Sequence, residues 1–194
     1  MAYTLANPCQ YQEEIRKSRF ITLAGHADSP AAAQAFIDQF SDSNATHNCW
    51  AWKVGQQYRF NDDGEPGGTA GRPILAAIEG QDFDQVVVLV IRWYGGIQLG
   101  TGGLSRAYGG GANKCLQAGE RLQLVAREPC DCHLYFAELP RLKARLSEFD
   151  VLIENETFTA QGVDVQLAIP PQHFDDFAKL VADLTRGREV LIAP

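Results

Sequence analysis

Two hydrophobic rhythms run along the chain. Val86 to Trp93, aliphatic without a break through Ile91, has the pattern of a central strand buried on both faces. His47 to Val54 alternates instead, with Cys49, Ala51 and Lys53 on one side and Trp50, Trp52 and Val54 on the other. With Gln57 to Phe60 it predicts a strand pair. Residues 11–27 predict another pair, in which Arg16-Lys17-Ser18-Arg19 leads into the apolar Phe20-Ile21-Thr22-Leu23. Ser29-Pro30 opens a helix that carries Ala32, Ala35, Phe36 and Phe40. Further helices are predicted from Pro73 to about Glu79 and from Leu104 to Ala118, and a strand from Leu122 to Arg127.

The remainder has its own order. Residues 130–137 read as a strand and 139–149 as a helix with Leu139, Leu142, Leu146 and Phe149 on one face. Strands at 151–159 and 163–169 flank the Gln161-Gly162 turn. A helix follows over 172–185, Gly187 stops it, and Glu189 to Ile192 read as a last strand. The order βαββαβ is the ferredoxin-like split βαβ unit. With the boundary at Glu128-Pro129, the fold class is α+β in two domains, 1–128 and 129–194.

The chain has 194 residues, 45% of them hydrophobic, so it has enough apolar surface for packed cores. No apolar run approaches the ~20 residues that cross a bilayer, and Met1-Ala2-Tyr3-Thr4 does not begin a signal peptide. The five cysteines are odd in number and scattered, which fits free thiols in a reducing cytoplasm. A net charge of −7 argues against a protein that coats nucleic acid. The charge is uneven: 1–128 holds 11 basic and 13 acidic residues, 129–194 holds 6 and 11.

Glycine is more uneven still, with 14 of the 18 between Gly55 and Gly111. Two segments, 61–73 and 92–108, each follow a strand and lead into a helix. Such turns present bare backbone N–H groups at a positive helix end, which suits an anion. They equally suit tight turns and close packing. Neither contains a P-loop or a G-x-G-x-x-G fingerprint. Asp62, Asp63 and Glu65 could hold a divalent cation or form a solvated acidic turn. His47 and Cys49 share a strand face as a potential nucleophile pair or as a packed thiol beside a bonded imidazole. Alternation sets Cys130 and Cys132 against His133, so they make no zinc site. Arg72, Arg92 and Arg106 lie beside the turns with Trp93, Tyr94 and Tyr108 close by. That combination suits phosphates and stacked bases, or ion pairing with the acidic turn.

The sequences NDDGEPGGTAGRPIL at 61–75 and VIRWYGGIQLGTGGLSRAY at 90–108 resemble the IMPACT family, as do KSRFI at 17–21 and ATHNCWAW at 45–52. The whole chain looks like the family's bacterial branch. Gly67 stands where Ser is common and Trp93 where Phe or Tyr is common, each keeping the character of the site. The resemblance implies an N-terminal domain with the fold of a ribosomal-protein domain. It also implies a ferredoxin-like C-terminal domain similar to the last domain of the translocating elongation factor. Its eukaryotic members restrain an amino-acid-starvation kinase by binding that kinase's activator. For a bacterial member it implies a translation-associated regulator whose contacts are RNA, the ribosome or a translation factor.

The matching positions nominate a ligand or nucleic-acid surface of Arg19, His47, Arg72, Arg92, Tyr94, Gly95, Gly96, Gly100, Gly103, Arg106 and Tyr108, beside the acidic turn Asp62, Asp63 and Glu65. The expectation is a binding protein rather than an enzyme, with no resident metal, no cofactor and no membrane contact. A metal-assisted enzyme or binder of a phosphorylated small molecule, and a protein–protein adaptor, are the alternatives.

Overall fold

The structure is a computed structural model that describes residues 1–192. The chain divides into two compact units, Met1–Leu124 and the part from Val125 onward. The division thus falls just ahead of the Glu128-Pro129 boundary read from the sequence, and Pro129 lies inside a strand.

The first unit is built on a five-stranded antiparallel sheet of order β2-β3-β6-β4-β5, from β2 (Cys9–Ile15), β3 (Ser18–His26), β4 (His47–Val54), β5 (Gln57–Asn61) and β6 (Val86–Trp93). Arg16 and Lys17 close the first hairpin with φ of 46° and 66°, a two-residue turn whose twist suits an antiparallel pair. Helix α1 (Pro30–Phe40) begins as the sequence predicts, with Ser29 Oγ accepting the Ala32 N–H at 3.1 Å. It covers one sheet face, packing Ala33 and Ile37 on Trp52 and Val87. Helices α2 (Gly71–Gly80) and α3 (Gly100–Ala118) cover the other, against Cys49, Ala51, Val86, Val88 and Val90. A Cβ at Gly111 would lie 2.9 Å from Thr22 Oγ1, so the glycines of α3 let helix and sheet approach closely. The sequence reading missed β1 (Ala2–Leu5), which pairs with β7 (Arg121–Leu124) in a separate two-stranded sheet.

In the second unit the antiparallel order is β8-β10-β9, with β8 (Glu128–Leu134), β9 (Leu152–Phe158) and β10 (Val163–Ile169). Helices α4 (Leu139–Lys143) and α5 (Phe174–Leu184) pack Leu142, Phe177 and Val181 on Leu134, Val165 and Leu167. This matches the first five elements of the ferredoxin-like order. The helix expected over 139–149 is shorter, ending at Lys143 before a 3₁₀ turn at Leu146–Glu148. The closing strand expected from Glu189 to Ile192 is not formed. Side chains take the ladder's place there: Glu189 Oε2 accepts the His133 N–H at 3.1 Å, and Arg188 Nη1 donates to the His133 carbonyl at 3.1 Å. The His133 backbone is thereby satisfied on the edge of β8 away from β10, without a fourth strand.

Candidate functional site

Alternation along β6 sends Val88 and Val90 toward α2 and α3, and therefore Arg92 too. The register sets Phe20, Arg92 and His47 abreast on that face. Arg92 is only 4% exposed, and a guanidinium so deeply buried needs a counter-charge. Glu65 supplies it from the first glycine turn. Arg92 Nη1 and the Tyr108 hydroxyl each donate to Glu65 Oε1 at 2.6 Å. Arg92 Nη2 donates to Ser18 Oγ at 3.2 Å. His47 Nδ1 lies 2.8 Å from the Asp63 carbonyl, which can only accept, so Nδ1 carries the hydrogen. Its Nε2 is then aimed at Glu65 Oε1, 3.6 Å away. Burial, with Cys49 and Glu65 adding to it, pushes the Tyr108 hydroxyl far above the usual tyrosine range, so it remains a donor.

The three acidic residues of the first turn have separate duties. Asp62 accepts backbone N–H groups from Gly68 and Gly71 at 2.8 Å and from Ala70 at 3.1 Å, so it fills the N-terminus of α2. Burial alone would raise its pKa, but these donors outweigh burial and hold it below the usual carboxylate range. Asp63 Oδ2 accepts the Asn48 N–H at 2.6 Å. Glu65 is committed to Arg92 and Tyr108. The divalent-cation reading of this turn is therefore corrected: among the described residues no acidic, His or Cys group converges as a metal set. Cys49 is fully buried with its thiol on the Asp62 carbonyl at 3.1 Å, and burial pushes its pKa up to about 12. It is a packed thiol rather than a nucleophile.

The second turn is arranged differently. Leu99 precedes α3 and offers no side-chain cap, and the first helical turn holds no acidic residue. The Gly95 backbone passes so near Lys17 that a Cβ would sit 1.9 Å from its carbonyl oxygen. The Tyr94 N–H donates to Thr46 Oγ1 at 2.9 Å, and Gly96 and Gly100 turn the chain with φ of 88° and 74°. The result is a cleft of about 430 Å³ floored by Glu65, Arg92 and His47 and walled by Tyr94, Leu99, Gly100, Thr101 and Leu104.

The expected convergence of three arginines is corrected. Arg92 is ion-paired inside. Arg72 is exposed on α2, its guanidinium 5.7 Å from the Phe60 ring. Arg19 stacks 4.0 Å over Trp93, its register partner, on the sheet face away from Arg92. Arg106 and Gly103 instead line a second, smaller groove of about 220 Å³ with Glu13, Arg16 and Lys114, and Leu99 borders both. Lys114 pairs with Glu13 at 2.9 Å, whereas Arg16 and Arg106 have no ion pair among the described residues. The sequence reading passed over Arg16 and Lys114, which meet Arg106 only through the hairpin and the helix period.

The open face of the second unit's sheet carries Asp131, His133, Asn155, Thr157, Asp164 and Gln166. His133 Nδ1 bonds Asp164 Oδ1 at 2.7 Å, on the face opposite Cys132 as alternation requires.

Residues 16–116 match the Impact N-terminal domain, and residues 132–188 match a domain described as a domain of unknown function (DUF1949). IMPACT family member YigZ of Escherichia coli (strain K12) is 39% identical over 97% of this chain and 95% of the relative. The Thermus thermophilus IMPACT family member in the pol 5′ region is 41% identical over 90% of this chain and 97% of the relative. A crystal structure of a hypothetical protein, 37% identical, superposes with a TM-score of 0.75 over 100% of this chain and 98% of that one. The two glycine-rich turns, with the buried Glu65–Arg92 pair that joins them, lie inside the matched N-terminal domain, and the chain belongs to the IMPACT family.

Proposed function

We propose that this IMPACT family member is a regulatory binding protein of the translation apparatus and contacts RNA, free or on the ribosome, through the groove along α3. The observation that carries the reading is the pair of uncompensated arginines, Arg16 and Arg106, beside a helix N-terminus that no side chain caps. A guanidinium without a carboxylate partner is free to take a phosphate. The family resemblance supplies the translation context. Binding rather than catalysis is favoured because Cys49 is buried and Asp62, Asp63 and Glu65 are each committed within the fold.

The test is titration with structured RNA at two salt concentrations, together with co-sedimentation on ribosomes. About three phosphate contacts to unpaired RNA give a log–log salt slope near −2. The paired substitutions Arg16→Glu and Arg106→Glu are expected to weaken binding at least about tenfold, a loss of about 1.4 kcal/mol. Failure to bind at low salt, with no ribosome association, overturns the reading.

A second reading, a protein–protein adaptor, is supported by the second unit. Its open sheet face presents Asp131, Asp164 and Glu189 without a lysine or arginine among the cavity-lining residues. That face suits a basic protein segment. Cross-linking of the full chain to a lysine-rich peptide, lost in Asp131→Lys with Asp164→Lys, distinguishes it from the RNA reading.

A further inference from the structure

The cleft beside the RNA groove has its own chemistry. Its floor is a buried carboxylate with one oxygen fully used and the other idle. Glu65 is 8% exposed, and Oε1 takes Arg92 and Tyr108. Oε2 has no partner among the described residues, yet it is not one of the sealed-off polar atoms, so it keeps its access through the cleft that Glu65 lines. Behind it, Arg92 Nε is buried without a partner, the one such side-chain atom among the described residues. Arg92 Nε is sealed from the cleft, so the spare capacity that another molecule's donor can reach is the acceptor Glu65 Oε2.

The walls specify what kind of molecule. On one side, α3 opens with bare N–H groups over Gly100-Thr101-Gly102, no cap from Leu99 and no acidic residue in its first turn. A helix of 19 residues presents a full dipole there, which favours an anion with several oxygens. On the other side, Tyr94 is 46% exposed, its backbone N–H is held by Thr46 and its ring lies 5.4 Å from the Arg92 guanidinium, giving an aromatic plate at the cleft wall. Leu99 and Leu104 continue the apolar wall. The Glu65–Arg92 ion pair leaves the floor near neutral, so it does not repel an anion at the rim. A volume of about 430 Å³ falls in the range of about 300–1,000 Å³ of small-molecule clefts.

We propose that this cleft binds one nucleoside monophosphate unit, with its phosphate at the α3 N-terminus, its base on Tyr94 and a hydroxyl or amino group donating to Glu65 Oε2. Stacking on an aromatic plate and a phosphate on backbone N–H groups need no particular sequence. The unit is either a free nucleotide or a single unstacked nucleotide of an RNA strand. In the second case the inference rests on the RNA reading above, with Arg16 and Arg106 holding the neighbouring phosphates.

Calorimetric titration of the full chain with adenosine monophosphate, uridine monophosphate, adenosine and inorganic phosphate tests the site. Both monophosphates are expected to saturate with Kd near or below about 1 mM, and adenosine and phosphate to bind at least about tenfold more weakly. Tyr94→Ala removes the plate. Thr101→Glu places a carboxylate in the first turn of α3, where it competes with the phosphate while favouring the helix. Each is expected to weaken the monophosphates at least about tenfold, with the thermal midpoint of Thr101→Glu not lowered. No saturation by either monophosphate, unchanged affinity in both variants, or phosphate binding as tightly as the nucleotides overturns the proposal. The two readings separate cleanly. Nucleotide binding without RNA binding keeps the cleft and removes the RNA groove. RNA binding unaffected by Tyr94→Ala, with no saturation by either monophosphate, keeps the groove and removes the cleft.

Discussion

The turn before α2 and the turn before α3 both run from a strand end to a helix N-terminus, but only the first carries its own anion. Asp62 accepts the backbone donors of Gly68, Ala70 and Gly71, whereas α3 begins uncapped beside the cleft. Glycine-rich chain at a helix start is thus two different things in one domain. Where a carboxylate lies within reach of the turn, the donors are consumed and the segment is structural. Where the preceding residues are Ile97, Gln98 and Leu99, no side chain among the described residues caps the helix, and the donors remain for a ligand. The two are tied by Glu65, which leaves the first turn to pair with Arg92 of the second.

Breaking that tie has the largest expected effect. Glu65→Ala strands a buried guanidinium and is expected to cost about 3–5 kcal/mol, read from urea denaturation midpoints. Gly95→Ala comes next, because its Cβ would fall 1.9 Å from the Lys17 oxygen and the hairpin must move; about 2–3 kcal/mol is expected. The matched change in the first turn, Gly68→Ala, meets no atom within 4 Å and bears only the strain of φ at 80°, about 1–2 kcal/mol. Equal losses in the two denaturation curves would contradict the close approach at Gly95.

Asp62→Ala exposes the difference in capping and is expected to cost about 1 kcal/mol, part of it restored by added formate. Its pH signature follows from the depressed pKa. The contribution is present above the unfolded-state value of about 3.9 and is lost as pH falls through the lower folded-state value. Asp62→Asn should therefore flatten the acid limb of a thermal-midpoint profile, and an unchanged limb would contradict the assignment. The smallest effect is a gain. Thr101→Glu supplies the open turn with the charge it lacks and should stabilise by about 0.3–1 kcal/mol in the absence of ligand, measured by denaturant titration at low salt.

Much of the architecture was legible because its signals are local. Ser29-Pro30 opens α1, the apolar run of β6 lies at the sheet centre, and Gly187 follows α5 with φ of 80°. What the sequence hid depends on distant partners. Ala2–Leu5 is too short to show a period, and it becomes a strand because Arg121–Leu124 lies beside it. In place of the strand expected at 189–192, the side chains of Arg188 and Glu189 reach the His133 backbone, a contact that no local period announces. At the site, the sequence left phosphate contact and ion pairing with the acidic turn both open for the arginines, and for Arg92 the pairing holds. An arginine in phase with Val88 and Val90 on a buried strand requires an internal carboxylate, and Glu65 was there to be paired. No comparable signal joins Arg16 to Arg106, since only the fold brings the hairpin to α3.

The strand order has a consequence for how the cleft comes into being. β3 and β4 are neighbours only through β6, which is made last of the sheet's five strands. A chain growing from its N-terminus therefore holds two unconnected hairpins until Val86–Trp93 has emerged. Such non-local pairing makes sheet closure the slow event. The strand that completes the sheet is also the one that delivers Arg92 to Glu65 and leads into the open turn. Ligand competence and folding competence thus arrive in a single late step, so a truncated or stalled product has neither.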